Sequence, residues 1–100
     1  MTHITPQELK TMIKEQEVYL LDVREPDEHT AFNIGGQLIP LGDIINLANT
    51  IPTNKPVVVY CKKGIRSQIA IQRLEDKLGL ANLVNLRGGM EAWLKQVADD

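Results

Sequence analysis

One hundred residues, 43% of them hydrophobic and 24% charged, suffice for one domain with one buried core and leave no room for a second, so a single domain over residues 1–100 is expected. A lone cysteine excludes an internal disulfide and a multi-cysteine metal centre, and His3 and His29 have no ligand spacing, so neither metal nor cofactor is expected. The net charge of −2 gives no footprint for nucleic acid, no run approaches the ~18 apolar residues of a membrane span, and the first residues lack a basic leader, which together suggest a cytoplasmic protein.

Thr5-Pro6-Gln7-Glu8 is a capping box with proline at the first helical position. Leu9, Met12 and Ile13 follow at helical spacing, which predicts a helix from about Pro6 to Glu15. Val18 to Val23 is a nearly continuous apolar run of strand length, the pattern of a strand covered on both faces, with one acid, Asp22, near its end. A short helix starts at Pro26 and is broken by Asn33-Ile34-Gly35-Gly36, and Leu38-Ile39-Pro40 reads as a very short strand. Ile44, Ile45, Leu47 and Ala48 suggest another short helix between Gly42 and Asn49, closed by the turn residues of 52–56. Val57-Val58-Val59-Tyr60 is a buried strand. From Ser67, the presumed N-cap, Ala70, Ile71, Leu74 and Leu78 mark one face of a helix that stops at Gly79. Asn82 to Leu86 forms the last strand, and after Gly88-Gly89 a terminal helix offers Met90, Trp93, Leu94 and Val97 to the sheet. Helices alternating with buried strands give an α/β domain with a mainly parallel sheet, in which ligands bind outside the strand C-termini.

The segment from Val57 to Ser67 concentrates the chemistry. The only thiol, Cys61, ends a strand and meets Lys62, Lys63, Gly64, Ile65, Arg66 and Ser67 where a helix begins. Positive charge and a helix N-terminus favour the thiolate, the nucleophilic form of cysteine. An unpaired cysteine is more often a small buried hydrophobe, but such a residue belongs inside the valine run rather than at its end. Lys62 and Lys63 are read equally well as solvated loop residues, and Arg66 either covers the loop mouth or forms a surface ion pair with an acid. Gly64 suits a backbone position of positive φ or close ligand approach. Successive backbone N–H groups leading into a helix form an anion nest. Cysteine phosphatases space cysteine and arginine by five residues to enclose a phosphate. Four residues separate Cys61 from Arg66, and the smaller ring suits one extra sulfur atom on Cys61.

Leu21-Asp22-Val23-Arg24, the segment Cys61 to Ser67, and the segment Asn85-Leu86-Arg87-Gly88-Gly89-Met90-Glu91-Ala92-Trp93 resemble, in order, the signatures of the rhodanese-like sulfurtransferase family. The resemblance implies a rhodanese-like α/β fold with a five-stranded, mainly parallel sheet flanked by helices. It makes Cys61 the sulfur-carrying nucleophile and Lys62, Lys63, Gly64, Ile65 and Arg66 the substrate-binding loop, with Arg66 on the anionic part of a donor such as thiosulfate. Ser67 is placed to donate to the persulfide, and Asp22 and Arg24 to support the loop. Asn33 stands where many members have histidine, so no role of that imidazole carries over. The stretch Asn33 to Gly42 is similar to the C-terminal rhodanese domain of adenylyltransferases that activate small sulfur carriers for molybdopterin or thiazole synthesis. The expected partners are therefore a small anionic sulfur donor and a sulfur-carrier protein or adenylyltransferase. The expected activity is sulfane-sulfur transfer through a Cys61 persulfide to a thiol, cyanide or sulfur carrier. A non-catalytic docking module is the alternative, and a cysteine phosphatase or arsenate reductase a more distant one.

Overall fold

Five strands, all parallel, form one sheet in the spatial order β1-β5-β4-β2-β3. The computed structural model describes residues 1–15 and 17–97. The strands are β1 (Thr2–Ile4), β2 (Tyr19–Asp22), β3 (Gln37–Leu38), β4 (Val57–Tyr60) and β5 (Leu83–Leu86). The helices are α1 (Pro6–Glu15), α2 (Pro26–Ala31), α3 (Ile65–Leu78) and α4 (Gly89–Gln96).

The valine run of β4 is buried on both faces because successive side chains alternate across a strand. Val57, Val59 and Cys61 pack with Leu21, Val23, Ala70, Ile71 and Leu74, on the side covered by α3. Val58 and Tyr60 pack with Leu9, Leu86 and Met90, on the side covered by α1 and α4. Each fully buried valine is worth roughly 1.5–3 kcal/mol of transfer free energy, so the strand that ends in Cys61 is anchored from both layers. The strand order also reverses beside it. The chain leaves β4 through α3 toward β5 on one side and leaves β2 toward β3 on the other, and the crevice outside such a reversal is where an open α/β sheet binds ligands.

Four boundaries differ from the sequence pattern. The edge strand β1 carries no apolar run, being only Thr-His-Ile, and is held by pairing with β5 in the register His3 to Asn85. The segment expected as a helix over 42–49 winds instead into two tight turns, Leu41–Asp43 and Ala48–Thr50, with amide-to-carbonyl bonds three residues back such as Asp43 to Pro40 at 2.8 Å and Ile51 to Ala48 at 3.0 Å. Of the four apolar residues that suggested the helix, Ile44 and Ala48 are buried, Ile45 is half-buried and Leu47 is exposed. The third strand is Gln37–Leu38, one residue earlier than the pattern suggests. Helix α3 begins at Ile65 with Gly64 as its N-cap, which puts Ser67 inside the first turn. Of the apolar residues expected on helix faces, Leu78 and Leu94 are exposed, while Met90 and Val97 are buried. Among the described residues no helix is long and apolar enough to cross a membrane.

Candidate active site

Cys61 sits one residue beyond β4 and lines a pocket of about 260 Å³ together with Lys62, Lys63, Ile65 and Arg66. The thiol is 1% exposed. Two backbone amides point at it, Gly64 N–H at 3.1 Å and Ser67 N–H at 3.3 Å, and the Ser67 hydroxyl is 3.4 Å away. An N–H that faces sulfur at the start of a helix adds the helix-terminal partial charge to the hydrogen bond, which favours negative charge on that atom.

The loop takes this shape because its carbonyls are held from behind. Met90 N–H at the start of α4 donates to the Cys61 carbonyl at 2.8 Å, and Glu91 N–H donates to the Lys62 carbonyl at 3.0 Å. In a trans peptide the N–H points opposite to the carbonyl, so the amides of Lys62 and Lys63 turn away from α4. Glycine makes the approach feasible. Gly64 has φ 94°, and a Cβ on Gly89, at φ 60°, would lie 2.4 Å from the Cys61 carbonyl oxygen. Thus the Gly88-Gly89 turn after β5 is the seat of the cysteine loop.

Lys62 and Lys63 are exposed, and Ile65 is the most exposed large apolar side chain at 63%. Arg66 lines the pocket and is also ion-paired. Its Nη1 and Nη2 donate to the two carboxylate oxygens of Glu28 at 2.7 and 2.9 Å. The guanidinium holds the Glu28 carboxyl down to about 2, and the carboxylate in turn raises Arg66. Both sequence readings of Arg66 therefore describe one residue, a pocket wall that is already paired.

Asp22 and Arg24 stand at the neighbouring strand end. Asp22 is fully buried and accepts from Arg24 N–H at 3.0 Å, Nε at 2.9 Å and Nη2 at 2.8 Å, and from His29 Nδ1 at 2.8 Å. Arg24 also donates to the Phe32 carbonyl at 2.6 Å and covers the Tyr60 ring with its guanidinium 5.8 Å from the centroid. Burial pushes the Tyr60 phenol up to about 12, so this side chain is neutral and faces the layer opposite Cys61. Asn33 donates to the His29 carbonyl at 2.8 Å and accepts from Gly35 N–H at 2.9 Å, which finishes α2 and starts the next turn.

Sequence reasoning missed Glu28, His29, Asn85 and His3. Asn85 carried a signal, because an amide between Val84 and Leu86 in a covered strand needs a partner, and it finds the Ser67 hydroxyl at 2.5 Å. Glu28 and His29 are ordinary residues of a short exposed helix, and only the fold brings them to Arg66 and Asp22.

A family model described as the rhodanese-like domain matches residues 5–96. Over 102 residues the chain is 38% identical to the probable adenylyltransferase/sulfurtransferase MoeZ of Mycobacterium tuberculosis, a match covering 97% of this chain and 26% of MoeZ. It is 30% identical to the thiosulfate sulfurtransferase GlpE of Coxiella burnetii, across 82% of this chain and 77% of GlpE. Its fold matches the crystal structure of a rhodanese-related protein from Thermoplasma volcanium with a TM-score of 0.86 at 31% identity, covering 97% of this chain and 94% of that one. The chain spans about a quarter of the length of MoeZ and about three quarters of that of GlpE.

Proposed function

Because the chain belongs to the rhodanese-like domain family, with relatives named as sulfurtransferases, we propose that it transfers sulfane sulfur through a persulfide on Cys61. The observation that carries this reading is the pair of amides, Gly64 and Ser67, aimed at one sulfur atom in a small pocket with lysine and arginine walls. The Cys61 thiolate attacks the outer sulfur of a donor such as thiosulfate. The donor's S–S bond breaks, its electron pair leaves with sulfite, and Cys61 carries one added sulfur as a persulfide. An acceptor thiolate or cyanide then attacks the outer sulfur, and the cysteine thiolate is regenerated as the Cys61 S–S bond breaks. Inward amides stabilise the anion at both stages without reorganising.

In this reading Lys62, Lys63 and Arg66 draw the anionic donor to the mouth, Gly64 and Ile65 shape the loop, and Asp22 with Arg24 braces the adjacent strand end. The acceptor, by likeness to the probable adenylyltransferase/sulfurtransferase MoeZ and to the putative sulfur carrier protein YrkF of Bacillus subtilis, is a sulfur-carrier protein or an adenylyltransferase-linked partner, and the proposed site of action is the cytoplasm. Mass spectrometry after thiosulfate treatment tests the step directly: the Cys61 peptide should gain one sulfur, and Cys61→Ser should gain none. A native chain that acquires no sulfur and hydrolyses an aryl phosphate would replace this reading with the phosphatase one.

A further inference from the structure

A file of polar groups leads away from the cysteine through the core. Cys61 Sγ lies 3.4 Å from Ser67 Oγ, Ser67 Oγ donates to Asn85 Oδ1 at 2.5 Å, and Asn85 Nδ2 meets His3 Nδ1 at 3.1 Å. The loop after β4, helix α3 and strands β5 and β1 contribute one member each, and Cys61, Ser67 and Asn85 are 1%, 0% and 1% exposed. The outer end, His3, is half-buried on β1 and is the direct register partner of Asn85.

Counting protons gives the file a direction. With Asn85 Oδ1 toward Ser67, the single hydroxyl proton is committed to that oxygen, and Asn85 donates onward to a bare Nδ1 of His3. The thiol fits this arrangement, since S–H donates to Ser67 Oγ. A charged sulfur needs the reverse. For Ser67 to donate to it, Asn85 must present Nδ2 to Ser67 Oγ, which turns Oδ1 to His3 and requires a proton on Nδ1. A carboxamide turned end for end occupies the same space, so both directions fit one cavity. The exchange at His3 is one of tautomer, a proton leaving Nε2 as one arrives at Nδ1.

We propose that Asn85 is a turnable relay that ties the direction of the Ser67 hydroxyl, and so the number of donors on the Cys61 sulfur, to which ring nitrogen of His3 bears the proton. Asn85 and His3 are then positioning residues that act on the sulfur only through Ser67. The relay concerns any anion on Cys61, and only the second measurement below rests on the sulfur-carrier reading.

The first measurement is a double-mutant cycle read by alkylation of Cys61 with iodoacetamide. Ser67→Ala should slow alkylation about three- to tenfold, the worth of one hydrogen bond. In Asn85→Asp the carboxylate accepts only, so the Ser67 proton stays with it, alkylation slows, and adding Ser67→Ala should change little more. Additive effects would overturn the relay, because an amide that merely fills space leaves the Ser67 contribution intact. The second measurement needs no variant fold: the 15N resonances of the His3 ring in the native chain, before and after sulfur loading by thiosulfate, with Cys61→Ser as control. Nδ1 should be protonated in the loaded chain and bare in the uncharged Cys61→Ser control. A bare Nδ1 in a loaded native chain overturns the tie to His3, and failure to load counts against the sulfur-carrier reading alone, leaving the relay to the alkylation cycle.

Discussion

Glu28→Gln separates two uses of Arg66. In the structure the guanidinium is engaged at both ends, 2.7 and 2.9 Å from the Glu28 carboxylate, so an anionic donor entering the pocket competes with a resident anion. The lowering of Glu28 from 4.5 to about 2 would correspond to about 3 kcal/mol in the absence of solvent screening. The two side chains are 32% and 27% exposed, however, and water screens a pair so placed to about 1 kcal/mol. Removing the carboxylate charge should therefore strengthen the binding of thiosulfate by about 1 kcal/mol, which is about a fivefold lower KM. The value of kcat should hold within about twofold, since the amides on the sulfur are untouched. A second reading comes from alkylation: negatively charged iodoacetate should gain on neutral iodoacetamide in Glu28→Gln, and added salt should shrink the gain. If KM rises instead, or the ratio of the two reagents is unchanged, Glu28 is not a competitor but the brace that aims Arg66, and the argument from engaged charge is refuted.

Acid stability tests the same pair. A folded carboxyl held near 2 stabilises the chain fully above its ordinary 4.5 and loses that contribution as pH falls toward 2, so the advantage of the native chain over Glu28→Gln in urea unfolding, about 1 kcal/mol at pH 6, should vanish near pH 2. A constant difference across that window would contradict the assignment. Asp22→Asn leaves the 5% exposed Arg24 without its buried counter-charge and should cost about 3 kcal/mol in the same assay. Gly89→Ala combines positive φ with a Cβ 2.4 Å from the Cys61 carbonyl oxygen, so it should destabilise by more than about 1 kcal/mol and reduce sulfur loading of Cys61. Unimpaired loading would show that α4 does not seat the loop.

What was legible in the chain follows from where each signal resides. The order of helices and strands could be read because α1, β4 and α3 carry their own periodicity, and the cysteine loop because its donors lie within seven consecutive residues. The start of α3 could not be read from composition. Ser67 has the chemistry of an N-cap, yet the helix begins earlier, at Ile65 after the N-cap Gly64, whose positive φ turns the chain and frees Ser67 to face sulfur from inside the first turn. The edge strand β1 was illegible because its stability is borrowed from pairing with β5, and three residues hold no pattern. That same pairing sets His3 beside Asn85, and the sheet order sets Asn85 under α3. Distance in sequence hid the connection, since the two residues lie at opposite ends of the chain. The loop that carries Cys61 is thus a local sequence feature, whereas the contacts proposed to act on it, Glu28 on Arg66 on one side and Asn85 with His3 on the other, are properties of the fold. A loop grafted onto another strand–helix junction would keep the two amides on sulfur and lose both controls.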